Sequence, residues 1–147
     1  MAKEVSAGFI VYQRTREGIK YLLLYRGYWN FSKGKLEQDE RNFRAALREL
    51  QEETGLKKSD LIFPHHFQTK DKFNFFNFRE KKHVSKTITL YLAESKTDII
   101  KLSPEQEGYG WFPYREATRL VKHQNIKNIL RRVNILLTKR SRAKQPS

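Results

Sequence analysis

Two apolar, β-branched runs open the chain, at Val5–Gln13 and Lys20–Arg26. The polar segment Thr15–Gly18 lies between them and is typical of a hairpin turn, so the two runs are predicted to pair as strands. A helical period follows, because apolar side chains then recur three or four residues apart. This spacing predicts a helix over Asp39–Thr54, with an apolar face of Phe43, Leu47, Leu50 and the Thr54 methyl. Gly55 then supplies the glycine that commonly ends a helix.

The second half of the chain has strand patterns first and helical patterns last. The strand patterns lie at Leu61–Thr69, Phe73–Phe78, Lys86–Glu94 and Tyr109–Phe112. Pro113 is placed to begin a helix that runs to about Lys122, and a last amphipathic helix is predicted over Asn125–Leu137. This order of elements predicts an α+β fold with a mixed β-sheet. We expect one domain over residues 1–137 and a basic, disordered tail over residues 138–147.

Charge indicates the class of ligand. The chain of 147 residues carries 30 Lys and Arg against 16 Asp and Glu, a net charge of +14, which favours nucleotides, polyphosphates or RNA. Cysteine is absent, so disulfide scaffolds and thiolate metal sites are excluded and any metal must use oxygen or imidazole ligands. No apolar run is long enough to span a membrane, and no secretory segment is recognisable. A cytoplasmic protein without a membrane partner is expected, and its oligomeric state stays open.

Acidic residues are concentrated on one face of the predicted early helix. Glu49, Glu52 and Glu53 point away from the apolar face, and like charges at this spacing repel each other. Arg48 is placed to pair with Glu52, so the cluster could be ordinary solvated surface. Clustered carboxylates are also what hard divalent cations such as Mg²⁺ or Mn²⁺ require.

The spacing of this cluster favours the second interpretation. The pattern G-x5-E-x7-R-E-L-x-E-E-x-G-L is formed by Gly34, Glu40, Arg48, Glu49, Leu50, Glu52, Glu53, Gly55 and Leu56. It resembles a complete Nudix box, a highly specific motif. The resemblance implies an α/β/α sandwich around a mixed β-sheet. It also implies hydrolysis of a nucleoside diphosphate linked to another group, with one to three divalent cations.

The resemblance also implies roles for the residues of the box. Glu49, Glu52 and Glu53 are the expected metal ligands and catalytic residues. Arg48 is expected to orient these carboxylates. Glu40 would lie opposite Glu49 on a continuous helix and is given a structural role in the first turn. Gly34 and Gly55 would supply backbone freedom at the two ends of the helix, and Gly34 would also border the substrate.

Within the family, the flanking segments resemble the asymmetric diadenosine tetraphosphate hydrolases. Trp29–Gly34 is similar to their entry to the box, except that Ser32 replaces a proline. Lys86–Glu94 resembles the strand that carries a phosphate-binding lysine, and Ser103–Glu105 resembles the loop with a further glutamate. Lys33 and Lys86 are therefore candidate phosphate ligands, and Glu105 is a candidate extra metal ligand or base.

Adenine binding requires an aromatic face for stacking. Phe75, Phe76, Phe78, Tyr28 and Tyr109 could supply it, and Phe76 and Tyr109 are chosen as substrate-binding residues. The four histidines have no metal-binding spacing and are interpreted as surface or loop residues: His65, His66, His83 and His123.

The predicted function is metal-dependent hydrolysis of diadenosine tetraphosphate to ATP and AMP by water attack on a phosphorus. One alternative is a Nudix pyrophosphohydrolase acting on RNA 5′ ends, on diphosphoinositol polyphosphate or on another nucleoside diphosphate derivative. A second alternative is a nucleotide- or nucleic-acid-binding module with an idle box. The intact glutamates argue against that module, because an unused site has no reason to retain their repulsion.

Overall fold

Eight strands form one mixed sheet in the computed structural model, which describes the backbone of residues 2–143 and the side chains of residues 2–139. The strands are β1 (Ala2–Thr15), β2 (Gly18–Tyr25), β3 (Trp29–Asn30), β4 (Ser32–Lys35), β5 (Leu61–Ile62), β6 (Gln68–Asn77), β7 (Lys82–Ser95) and β8 (Gly108–Pro113). The central path runs β3-β2-β1-β7-β5, while β4 pairs with β1, β6 with β7 and β8 with β2. All these pairs are antiparallel except β1 with β7, which makes the sheet mixed.

The first strand, β1, is the centre of the sheet. Its end pairs with β2 through the predicted hairpin, and its middle pairs with β4 from Ser6↔Lys35 to Phe9↔Ser32. Its other edge pairs in parallel with β7, from Ala2↔Val84 to Tyr12↔Glu94. The short segment that enters the predicted box is thereby fixed against β1.

Helices cover both faces of the sheet. The helix α1 (Asn42–Thr54) packs on one face, where Ala45, Ala46 and Leu50 are fully buried against Phe9 and Leu24. The other face is covered by α2 (Tyr114–Leu120) and α3 (Gln124–Ala143), whose buried residues include Ile129, Leu130 and Val133. The predicted α/β/α sandwich with a mixed sheet is confirmed. No helix in the described part of the chain is long and apolar enough to cross a membrane.

The first helix begins later than predicted. It starts at Asn42 rather than Asp39, because residues 37–40 form a turn in which the Glu40 amide donates to the Glu37 carbonyl (3.1 Å). Asp39 has a φ of 64°, a left-handed conformation that Asp tolerates better than most residues and that does not continue a helix. The helix ends as predicted at Thr54, and Gly55 is left-handed with a φ of 78°.

Two other boundaries differ from the sequence prediction. The predicted strand Leu61–Thr69 is divided, since β5 ends at Ile62 and β6 starts only at Gln68. Pro64 lies in the gap and has no amide to donate to a ladder. At the other end of the chain, α3 continues to Ala143, six residues beyond the predicted domain end at Leu137. The rest of the predicted tail, residues 144–147, lies outside the described residues.

Candidate active site

The second half of α1 carries the glutamates of the box next to β4. The backbone of β4 comes so close to the helix at Gly34 that a Cβ built there would lie 2.0 Å from the Glu49 carboxyl carbon. Any other residue at this position would therefore displace the Glu49 carboxylate from where it lies. The requirement for glycine comes from this close approach, not from an unusual φ, because Gly34 is not among the glycines with a positive φ.

Arg48 holds four carboxylates around one guanidinium group. Its Nε donates to Glu40 Oε2 at 2.8 Å, and its Nη1 lies 3.0 Å from Glu49, 3.3 Å from Glu52 and 3.4 Å from Glu37. The Nη2 atom donates to the Lys35 carbonyl at 3.0 Å. These bonds raise the pKa of Arg48 and keep it charged. Arg48 therefore connects β4, the turn before the helix and the glutamate face.

The structure corrects the position predicted for Glu40. Glu40 precedes α1 instead of lying in its first turn, so the continuous-helix argument that set it opposite Glu49 was wrong. Its carboxylate accepts two hydrogen bonds from Arg48 and one from the Glu37 amide. The Arg48 bonds are the largest cause that lowers the pKa of Glu40 to about 2. Glu40 is thus an anionic anchor for the arginine.

Glu53 is half-buried and is held by side chains from outside α1. Its Oε1 accepts from the Ser32 hydroxyl at 2.8 Å and its Oε2 from the Gln106 amide at 2.7 Å. Burial is the largest cause that raises the pKa of Glu53 to about 7; the bond from Ser32 opposes the rise, and the charge of Glu49 adds to it. Burial also raises the pKa of Glu49, against the effect of Arg48.

The loop after β7 is fixed to the end of α1. The Lys101 amide donates to the Thr54 carbonyl at 2.8 Å, and the Ser103 amide donates to the Glu53 carbonyl at 3.0 Å. These bonds satisfy carbonyls that a helix end leaves unpaired. The residue that this loop presents to the site is Gln106, while Glu105 is directed to Arg26 at 3.8 Å, with 78% of its side chain exposed. The sequence predicted Glu105 as an extra metal ligand or base. In the structure, however, Glu105 does not lie with the three glutamates of the box.

The ligand chemistry of Glu49, Glu52 and Glu53 fits a hard divalent cation, but their side chains are not arranged around one point. Carboxylate oxygens are the ligands that Mg²⁺ prefers, and the charges of Glu49 and Glu52 each raise the pKa of a neighbouring glutamate, a repulsion that a cation would relieve. The three carboxylates do not converge on one point, since Glu52 is held by Arg48 and Glu53 by Ser32. Among the described side chains, those of residues 2–139, no group of three His, Asp or Glu is arranged to hold a metal.

The raised pKa of Glu53 predicts a pH-dependent stability for the metal-free protein. Between the ordinary pKa of 4.5 and about 7, the folded state binds a proton that the unfolded state has lost. The free energy of unfolding should therefore decrease as the pH rises through this window, by about 1–2 kcal/mol after allowance for partial exposure. Denaturant unfolding in chelator at pH 5 and pH 8 measures it. Glu53→Gln should remove this part of the decrease and Glu116→Gln on α2 should not; an unchanged pH dependence in Glu53→Gln would contradict the assignment.

A cavity of about 330 Å³ opens on the opposite face of the sheet from α1. Two of its lining residues are Lys33 and Lys86, the lysines predicted to bind phosphate. The Lys86 side chain is 18% exposed and lies 3.7 Å from Glu4, and burial followed by repulsion from Lys33 lowers its pKa. Glu4 also pairs with Lys35 at 3.4 Å, so it does not neutralise both lysines of the cavity, and positive charge is left available for an anion.

The aromatic residues of this cavity differ from those chosen from the sequence. Tyr28, Phe73 and His123 line it, and the ring centroids of Tyr28 and His123 are 6.0 Å apart. Phe76 pairs with His83 and is three residues from Phe73 along β6. Because side chains alternate along a strand, Phe76 points to the opposite face, the one covered by α1, and lies outside the cavity. Tyr109 is on β8 and does not line the cavity. Strand alternation could have assigned Phe73 and Lys86 to one face, but only with the register of β6 and β7 known.

A second cavity of about 300 Å³ lies between Lys33 and Glu53. It shares Tyr28, Asn30 and Lys33 with the first cavity, and it extends to Glu53 and Gln106. Hydrogen bonds from Ser32 and Gln106 to Glu53 were not predicted from the sequence. Only the departure of Ser32 from the family's proline pointed to this position.

Comparison with known families decides the class of the protein. A family model described as the NUDIX domain matches residues 2–133, nearly the whole chain. The chain belongs to the Nudix family. Its match covers the box, both cavities and all three helices up to Val133.

Individual Nudix relatives are similar over most of this chain. The asymmetrical bis(5′-nucleosyl)-tetraphosphatase of Rattus norvegicus is 32% identical over 137 residues, which are 85% of this chain and 89% of the relative. The m7GpppN-mRNA hydrolase of Saccharomyces cerevisiae is 24% identical over 78% of this chain and 11% of its own length. A crystal structure of a C. elegans Ap4A hydrolase binary complex has a TM-score of 0.83 at 23% identity, over 92% of this chain and 98% of that chain.

The family and its relatives give the class of the enzyme. The protein is a Nudix pyrophosphohydrolase with similarity to asymmetrical tetraphosphatases. The solved structure shares the fold and confirms the α+β architecture.

Proposed function

We propose that the enzyme hydrolyses dinucleoside tetraphosphates asymmetrically and splits diadenosine tetraphosphate into ATP and AMP. The observation that carries the proposal is the continuity of the two cavities through Tyr28, Asn30 and Lys33. The first cavity offers aromatic faces for a nucleoside and Lys86 for a phosphate, the shared part offers Lys33, and the second cavity offers Glu53. The similarity to the rat tetraphosphatase supports the same substrate class.

Each group in this arrangement has one task. Lys33 and Lys86 bind the polyphosphate chain, and Tyr28 or Phe73 stacks on a base. Glu49, Glu52 and Glu53 would hold Mg²⁺ or Mn²⁺, in keeping with the general use of divalent cations by Nudix hydrolases. Such a cation, when bound, neutralises phosphate charge and acidifies water. Arg48 is a positioning residue, because its contacts are with the carboxylates.

The reaction is a hydrolysis, in which one water molecule is consumed for each P–O bond broken. The water oxygen bonds to one phosphorus, the bond from that phosphorus to a bridging oxygen breaks, and the bridging oxygen leaves with the other nucleotide. The proton of the water is taken up by a carboxylate of the site. Because Glu53 lies at one end of the two adjoining cavities, one off-centre phosphorus is attacked and the products are unequal.

The products and the origin of their oxygen test the proposal. Diadenosine tetraphosphate should give ATP and AMP in equal amounts, and in ¹⁸O-water the label should enter only one of them. Mass spectrometry of the quenched reaction measures both. Two ADP as the main product would contradict the asymmetric attack.

RNA is the second candidate substrate, and an exposed hairpin tip favours it. The β6–β7 tip carries Phe76, Phe78 and His83, with Phe76 centroids 4.8 Å from Phe78 and 5.0 Å from His83. Phe78 is 82% exposed, and Arg79 and Lys82 are close by in the sequence. Exposed aromatic and basic side chains together are typical of single-stranded nucleic acid binding. The relationship to an mRNA hydrolase is consistent with this substrate. Rapid release of pyrophosphate from 5′-triphosphate RNA, without turnover of the dinucleotide, would establish it.

A further inference from the structure

Asp71 is a buried carboxylate in the wall of the first cavity, which also holds Lys33 and Lys86. It lies on β6, is 7% exposed, and lines the cavity beside Asn125. One of its oxygens accepts a hydrogen bond from Asn125 Nδ2 at 3.0 Å. No described Lys, Arg or His side chain lies within ion-pair distance of it, although the protein has a net charge of +14. A buried carboxylate with a single protein donor is unusual and needs an explanation.

A structural role accounts for only part of this arrangement. Asn125 is in the first turn of α3, so the bond anchors the helix start on β6, where negative charge is favourable. A neutral side chain could accept the same bond without the cost of burying a charge. The second oxygen of Asp71 makes no hydrogen bond within residues 2–139, and the protein does not enclose it completely. It therefore remains accessible from the cavity.

The register of β6 and β7 places this oxygen beside a stacking position. Asp71 is opposite Ile88 and Phe73 is opposite Lys86, so all four side chains lie on one face of the sheet. Asp71 and Phe73 are two residues apart along the strand, a separation of about 6.8 Å. A base that stacks on Phe73, with its phosphates at Lys86, has its polar edge within reach of Asp71.

We propose that Asp71 makes this cavity selective for guanine. The N1–H and the 2-amino group of guanine donate in the same direction, so one carboxylate accepts both: the free oxygen accepts one, and the oxygen bound to Asn125 accepts the other with its second lone pair. Adenine instead presents the lone pair of N1 at that edge, which the carboxylate repels. Hypoxanthine keeps the N1–H but lacks the 2-amino group. A site whose buried acceptor needs a donor discriminates against bases that cannot supply one.

The inference rests on the proposed function, and a mixed substrate tests both. Adenosine-guanosine tetraphosphate can bind with either base in the cavity, and the two orientations give different products: ATP with GMP, or GTP with AMP. Wild-type enzyme should form one pair at least about tenfold more than the other. Asp71→Asn should bring the ratio close to one, because an asparagine retains only one acceptor oxygen. Asp98→Asn, an exposed acid on another loop, is the matched control and should behave as wild type. Equal amounts of the two pairs from wild-type enzyme would overturn the inference.

Mononucleotide binding separates the two ideas. Calorimetric titration of wild-type protein with GMP, IMP and AMP should show GMP binding about tenfold tighter than the other two, and Asp71→Asn should lose this difference. If no dinucleoside tetraphosphate is hydrolysed but GMP is preferred, the proposed function fails and the selectivity of Asp71 stands. Equal affinities for GMP and IMP in the wild-type protein would overturn the selectivity, whether or not Asp71→Asn folds.

Discussion

Replacing Glu53 with glutamine will lower turnover about a hundred- to a thousandfold while the protein stays folded. Glu53 lines the second cavity together with Lys33. The amide keeps the shape of the side chain, and both of its contacts can adapt, because a hydroxyl (Ser32) and a primary amide (Gln106) can each donate or accept. The variant therefore loses the negative charge and little else. Steady-state kinetics with diadenosine tetraphosphate measure the effect, and circular dichroism confirms the fold.

A change of charge outside the site is the matched control for this variant. Glu116→Gln on α2 removes the same charge from an exposed position and should leave turnover unchanged. In the metal-free state Glu53→Gln should have a higher melting temperature than the wild-type protein above pH 7, because it no longer buries a charged carboxylate near Glu49.

Activity of the wild-type enzyme should disappear in excess chelator and return with Mg²⁺ or Mn²⁺. Full activity in chelator would falsify the metal-dependent role of these glutamates.

Replacing Lys86 with alanine will weaken catalysis about ten- to a hundredfold. The variant loses a charge-assisted contact with phosphate, worth roughly 1.5–3 kcal/mol. Glu4, the carboxylate nearest to Lys86, also lies 3.4 Å from Lys35, so the substitution does not leave it without a cation. The fold should therefore survive, and the loss should appear in kcat/KM. Lys33→Ala should have a similar effect, since Lys33 lines both cavities.

The control for Lys86 tests whether the basic surface acts only as a diffuse field. Lys139 is exposed near the end of α3, and Lys139→Ala removes the same charge away from both cavities. It should change kcat/KM less than twofold at physiological ionic strength, because the Debye length there is about 8 Å. Equal losses at Lys86 and Lys139 would show that Lys86 has no specific contact with substrate.

The sequence predicts the parts of this fold that depend on local pattern. The hairpin at Thr15–Gly18, the end of α1 at Gly55 and the inward face of α3 follow from turn chemistry and periodicity, and the structure has all three. The box spacing also placed Arg48 beside Glu49 and Glu52. Short-range geometry along one helix determines these contacts, so no knowledge of the rest of the chain is needed.

The features that the sequence did not predict depend on contacts between distant segments. Glu40 reaches Arg48 because a turn at Asp39 delays the helix, and a helical wheel cannot represent that turn. Gln106 instead of Glu105 faces Glu53 because the loop is fixed by its backbone amides. Phe73 lines the first cavity and Phe76 does not, and the sequence did not predict this because strand alternation gives two faces without saying which one holds the cavity.

The parallel pairing of β1 with β7 has a consequence for how this protein is made. Residues that are partners in the sheet, such as Gly8 and Leu90, are separated by most of the domain in the sequence. The ribosome adds about 5–20 residues per second, so this edge of β1 remains unpaired for several seconds, until β7 has been synthesised. During that time Phe9, Ile10 and Val11 offer an unpaired apolar strand edge on the nascent chain. One of the two longest strands of the sheet is therefore open to aggregation and to chaperone binding during synthesis.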